Sequence, residues 1–228
     1  MAIVNRSLIY PSGQAGDYIF RVRNGKLVMY RRPVKQKVSR SPKAEAARNS
    51  FAVTVKFAVC INSLPYLKNT WKNAKVKGTN HFQKIIKQNA QFIKSSGISG
   101  RNIITPPGIF FPSSSFKFDL NDKRIYITLT PTEEMKQIFA PTFFLHLVFA
   151  FYEPIRKSSE PFAFSGMENE ISFNNGSDHY NLSFTLSEAV LSNNKKYKRM
   201  TLYSAASSSQ TNSKVFWTST LAINVGTR

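Results

Sequence analysis

The sequence predicts an α+β protein: an N-terminal β-hairpin and helices, followed by an antiparallel, immunoglobulin-like β-sandwich. Three observations predict it. An Asn-Gly pair lies between two alternating runs near residue 24; apolar residues recur at helical spacing between residues 42 and 94; and about seven short β-rich runs separated by turn residues fill the chain after residue 106. The expected division is a basic hairpin-plus-helix region over 1–105 and a β-sandwich domain over 106–228.

The hairpin comes first. Asn24-Gly25 separates YIFRVR from KLVMYRR, and Asn-Gly supplies the positive φ angles of a two-residue type I′ turn. That turn sets the register: Arg23 opposes Lys26, Val22 opposes Leu27, and Phe20 opposes Met29. Phe20, Val22, Leu27 and Met29 should pack on a core. Arg21, Arg23, Lys26, Val28 and Tyr30 should form a basic, aromatic-edged surface. Such a ribbon can lie along phosphates or simply face water. Residues 31–43 follow as a basic linker or arm with Arg31, Arg32, Lys35, Lys37, Arg40 and Lys43 and no acid.

Three helices are expected next. Ser41-Pro42 reads as a helix start, and the helix runs to about residue 62. Its stripe of Ala44, Ala47, Phe51, Val55, Ala58 and Ile61 should face the core, with Val53, Phe57 and Cys60 adding apolar character elsewhere. A second helix from Pro65 to about Lys75 is anchored by Tyr66, Leu67 and Trp71. A third, over about 80–94, carries Phe82, Ile85, Ile86, Asn89 and Ile93 on one side. Its Lys84, Lys87 and Lys94 read as a solvated face. Glycines and prolines over 95–112 mark the expected domain boundary. Strands are then expected at 116–120, 124–130, 142–152, 170–173, 180–186, 199–205 and 216–225.

Charge dominates the composition. Lys and Arg number 32 against 12 Asp and Glu, a formal net charge of +20. Residues 1–105 hold 20 basic groups and two acids, Asp17 and Glu45, a net of +18; the remainder holds 12 and 10, a net of +2. An excess of this size repels itself unless a polyanion or acidic surface screens it. Nucleic acid is the commonest such partner; a merely solubilising surface is the alternative.

Catalytic constellations are thin. His81, His146 and His179 have no metal-ligand spacing, and Cys60 alone builds neither a disulfide nor a thiolate zinc site. Its apolar surroundings suit a buried, inert thiol. Glu133-Glu134 read as helix-start or loop acids, and Glu168 and Glu170 as solvated charges at a turn and strand edge. No phosphate-cradling loop is present. The expectation is a protein with no catalytic residues, no cofactor and no metal.

Gly16 before a short strand, Asn24-Gly25-Lys26 and the proline-containing basic arm form an ordered set of motifs. It continues with a helix bearing Arg48, Phe51 and Phe57, then Phe82 with Asn89. It ends in Leu202-Tyr203-Ser204, a serine-rich loop with Ser213, and Trp217-Thr218. Together these resemble an uncharacterised family common in Bacteroidetes genomes, with a basic helical N-terminal half and a β-sandwich C-terminal half. The resemblance implies the architecture and no activity.

The functional expectation is a non-catalytic structural protein that self-associates or docks into a larger particle, touching nucleic acid through Arg21, Arg23, Lys26, Arg31, Arg32, Lys35, Lys37, Arg40 and Lys43. The alternative is a sequence-nonspecific nucleic-acid-binding protein acting as monomer or dimer. An acidic protein is another candidate partner. No apolar run has the length of a membrane span, and no signal peptide is read at the N-terminus. The expected location is therefore cytoplasmic, within a virion or other intracellular particle if the protein assembles into one.

Overall fold

The computed structural model describes residues 2–4, 13–23, 25–32, 39–95, 97–156, 160–173, 178–208 and 215–226. Helix makes up 31% of the chain and strand 42%, so the fold is α+β as expected. Two compact units divide between Ser41 and Pro42.

The first unit is a four-stranded antiparallel sheet in the order β1-β4-β3-β2, from β1 (Ala2–Val4), β2 (Gly13–Ala15), β3 (Tyr18–Arg23) and β4 (Lys26–Arg31). The hairpin register is the one the Asn-Gly turn dictates: Arg23 pairs with Lys26, Val22 with Leu27 and Phe20 with Met29. Asn24 lies outside the described residues, but Gly25 has φ +72°, a left-handed conformation in which glycine carries no Cβ penalty. One expectation about its faces changes. Val28, assigned to the open face, is buried, and Val22, assigned to the core face, is 45% exposed. The cause is strand order. Val28 is paired on both sides, with Ile3 of β1 and Arg21 of β3, whereas Val22 lies beside the turn, past Phe20, where the pairing of β3 with β2 ends.

The second unit, residues 42–228, has three layers. Helices α1 (Pro42–Ser63), α2 (Pro65–Asn73) and α3 (His81–Asn89) form the first. The middle layer is a four-stranded antiparallel sheet in the order β11-β10-β7-β8, made of β7 (Thr142–Pro154), β8 (Phe162–Ser172), β10 (Tyr197–Ser208) and β11 (Leu221–Gly226). The outer layer is a three-stranded sheet in the order β5-β6-β9, from β5 (Ser113–Asp119), β6 (Arg124–Thr130) and β9 (Tyr180–Thr185), with α4 (Glu133–Phe139) and α5 (Glu188–Lys196) beside it.

The period-2 alternation of β7 explains the layering. Phe143, Leu145, Leu147, Phe149 and Phe151 enter the core shared with Ile125, Ile127 and Leu129 of the outer sheet. Val148 and Ala150, on the opposite face, join Phe57, Ile61, Leu67, Trp71 and Ile85 of the helices. A strand buried on both faces reads as a near-continuous apolar run, and residues 143–151 are one interrupted only by His146.

The observed division falls at residue 41, not at the expected boundary near 105, because the helices rest on the middle sheet. The glycine- and proline-rich segment after residue 95 is not a free linker. Trp71 Nε1 donates to Ile104 O at 2.7 Å. Asn89, fully buried, accepts from Asn102 Nδ2 at 3.0 Å and Ile103 N at 2.8 Å. Thr220 Oγ1 accepts from Ile104 N at 2.9 Å, and Thr105 Oγ1 donates to Thr218 O at 2.8 Å. These bonds satisfy the segment's polar groups without regular structure, as burial demands.

Two local expectations are corrected. Ala47 and Phe51 of α1 are exposed, Phe51 by 57%; the buried face is Val53, Thr54, Phe57, Ala58 and Ile61. Apolar residues lie on two sides of this helix, so spacing alone did not select the buried one. Residues 166–170 are the middle of β8 and not a turn. Gly166 is there for a close approach: a Cβ would stand 2.7 Å from Leu64 Cδ1, at the α1–α2 corner.

Candidate polyanion-binding surfaces

The predicted cations divide between the units. Arg21, Arg23 and Lys26 are exposed, and their pairing places them on one face of the hairpin: Arg23 opposes Lys26, and Arg21 lies two residues along β3. Arg31 lies 3.7 Å from Asp17, both side chains about three-quarters exposed, an arrangement worth little in water. Arg32 and Arg40 are exposed beyond β4, and Lys43 is exposed in the first turn of α1. Lys35 and Lys37 lie outside the described residues.

A second basic surface was not singled out from the sequence. Between Glu45 and Asp119 no acid occurs, and 11 Lys and Arg do. Six of these, Lys68, Lys72, Lys75, Lys77, Lys84 and Lys87, fall on α2, α3 and the loop joining them. Asn80 fixes the start of α3, its side chain accepting from Gln83 N at 2.8 Å. Lys84 Nζ reaches back to the end of α2, 2.7 Å from Ala74 O and 3.3 Å from the carbonyls of Trp71 and Lys72. This satisfies C-terminal carbonyls that the helix leaves open. The lysine thus binds the two helices into one face.

His81, the first residue of α3, stands within that face. Partial burial, and then the charges of Lys68, Lys72 and Lys84, hold its imidazolium below the ordinary histidine range. Among the described residues, Lys68, Lys72, Lys75, Lys77 and Lys87 make no ion pair. The acid-free run is the signal available in the sequence; taken helix by helix it divides into separate solvated faces, such as the one expected for Lys84, Lys87 and Lys94.

The acids that do reach the helical layer are spent otherwise. Glu160 Oε2 binds Lys56 Nζ at 2.6 Å. Glu168, expected to be a solvated edge charge, is 8% exposed and accepts from Leu67 N at 2.8 Å and Tyr66 N at 3.2 Å. Those are open amides of α2, whose preceding residue Leu64 has no side-chain cap to offer.

Glu168 also lies 3.0 Å from His146 Nδ1, off the N–H axis, and His146 Nε2 lies 2.8 Å from Ser207 Oγ. With the carboxylate beside Nδ1, the ring proton belongs there and Nε2 accepts from the serine. Burial holds His146 neutral, against the opposing pull of Glu168. The order of groups is that of an acyl-transfer triad. However, His146 is 0% and Ser207 1% exposed, so no substrate reaches the hydroxyl in this conformation. The three side chains tie β7, β8, β10 and α2 together.

Burial pushes the Cys60 thiol up to about 12, leaving it un-ionised at neutral pH. His179 Nδ1 meets Thr130 Oγ1 at 3.0 Å. Among the described residues, no group of three or more His, Cys, Asp or Glu could hold a metal ion. No single helix there is long and apolar enough to cross a membrane; α1 and α2 pass such a test only jointly, and they are bent by 103°.

Compared with protein-family models, with curated proteins and with solved structures, the chain finds no match.

Proposed function

We propose that the chain is a non-catalytic, basic assembly protein that contacts the phosphates of nucleic acid through its N-terminal half. One observation carries this reading: 20 basic groups stand against two acids over residues 1–105. Their charges repel one another in the free protein, and counter-charge from a polyanion relieves that cost. Phosphate contact is favoured over base reading, because isolated lysines position a protein on a backbone without encoding sequence. On this reading the two packed sheets are an immunoglobulin-like scaffold, and the kinship with the Bacteroidetes family is part of the same proposal.

Light scattering with absorbance at 260 and 280 nm, in high salt after nuclease treatment, tests the assembly half. A discrete nucleic-acid-free particle many times the 25.8 kDa chain mass supports it. A clean monomer rules out self-assembly and leaves the second reading, a sequence-nonspecific nucleic-acid-binding module, which the unpaired α2–α3 lysines favour.

A further inference from the structure

We infer that the α2–α3 face is the principal phosphate-gripping surface of the second unit, and that His81 makes its hold on a nucleic-acid backbone proton-linked. The inference rests on the nucleic-acid reading above and assigns it a place and a regulation.

Placement of charge is the first argument. Lys68 and Lys72 are four residues apart on α2, and Lys84 and Lys87 three apart on α3. Like charges at these spacings destabilise a helix. No acid on either helix or their loop offsets them. Cations beyond residue 105 do find acids: Lys136 lies 2.9 Å from Glu133 and 3.2 Å from Asp178, and Arg199 lies 3.2 Å from Glu153. The lack of acids therefore marks residues 46–118, within which this face lies, and not the rest of the second unit.

The residues between the lysines decide the partner. Asn73, Thr79, Asn80 and Gln83 are exposed; amides and hydroxyls of this kind bind phosphate and sugar oxygens. Tyr66 is the one large apolar side chain strongly exposed on the described residues of α2 and α3. A protein interface needs an apolar core and is depleted in lysine, so an acidic protein fits less well than a nucleic-acid backbone. With no arginine on this face, the bidentate contact that reads guanine is lacking as well.

His81 supplies the regulation. Its charged neighbours are Lys68 and Lys72 from α2 and Lys84 from its own helix, and all three oppose its protonation. A phosphate chain laid across the face reverses that sign. Binding then draws a proton onto His81, and by reciprocity lowering the pH tightens binding.

Fluorescence anisotropy of a labelled DNA duplex of about 20 base pairs, titrated over a range of KCl, tests both parts. The wild-type chain is compared with K68Q/K72Q, with H81Q and with the hairpin variant R21Q/R23Q/K26Q. K68Q/K72Q should lower the slope of log affinity against log salt by about two. H81Q should match wild type near pH 8 but lose the gain in affinity, at most about tenfold per pH unit, between about pH 7.5 and about pH 5.5. If K68Q/K72Q keeps the wild-type slope while the hairpin variant loses it, the α2–α3 assignment is wrong and the nucleic-acid reading stands. If the wild-type chain does not bind even at low salt, both fail. If polyglutamate binds as tightly as DNA, the choice of partner is overturned. A pH dependence unchanged in H81Q removes the histidine's role.

Discussion

The two outer layers of the second unit handle charge in opposite ways. In the outer β-layer, Lys136 is shared between Glu133 and Asp178, and Lys123 lies 3.9 Å from Glu188. In the helical layer, Lys68, Lys72, Lys75, Lys77 and Lys87 have no acid, and the one deeply buried carboxylate, Glu168, is turned inward onto backbone amides. Both layers pack on the same middle sheet with large apolar side chains. Folding therefore does not require either treatment of charge. What differs is the outward surface, and that makes the helical face the one with an electrostatic need left unmet.

Substitutions in each layer test this contrast. The largest effect comes from the seam beneath the helical layer. Phe57 is fully buried, with Phe164 and Tyr203 ring centroids at 5.4 and 5.5 Å. F57A should cost about 3–5 kcal/mol in urea unfolding, and a loss below about 1 kcal/mol would mean that the helices do not rest on the sheet.

Next is Glu168. E168A leaves the Tyr66 and Leu67 amides without their carboxylate and should cost about 2–3 kcal/mol. A near-neutral result would show that water caps α2 as well as the carboxylate does. Third is the acid limb of stability. His146 is held below its unfolded value near 6.5, so the unfolded chain binds more protons as the pH falls through that value. Stability should be full above about pH 6.5 and decline below it, down to the depressed folded value. Urea midpoints across that window should fall in wild type, and H146Q should lose most of this contribution.

The smallest effect is the most direct test of the contrast, because its sign inverts between the layers. K68Q relieves a like-charge pair near the N-terminal end of α2, where the helix dipole also disfavours a cation, and should raise the melting temperature slightly, worth a few tenths of a kcal/mol. K136Q removes a lysine held by two acids and should lower it. Equal signs would mean that the two layers do not differ in the way the ion pairs indicate.

Much of the local structure was legible. The Asn-Gly turn fixed a register because a type I′ turn allows only one pairing of its flanks. The three helices were found from their apolar spacing and from Pro42 and Pro65. The strand at 124–130 was found because its alternation is clean. Long-range structure was less legible. Residues 162–169 of β8 were missed because Ser165, Gly166, Glu168 and Asn169 interrupt any apolar pattern. They belong to a strand because Leu64 needs Gly166 and α2 needs Glu168. The local clue was an α2 start with leucine before proline and no capping side chain, which calls for an acceptor from elsewhere in the chain. The Gly/Pro segment looked like a boundary because its partners, Asn89, Thr218 and Thr220, are distant in sequence. The hairpin cations were visible as a motif. The α2–α3 face was not, since its coherence depends on two helices being brought side by side.

The order in which the layers occur along the chain bears on synthesis. The cationic helices end at Asn89, but the sheet that supports them is built from strands starting at Thr142 and running through Gly226. During translation the helices therefore emerge well before their floor exists. Isolated helices of nine residues, such as α2 and α3, are marginal in water. For that interval α2 and α3 lack the sheet against which Leu67, Trp71 and Ile85 are buried. A chain with this order of elements completes the support of its helical layer only once its last strand, β11, has been made.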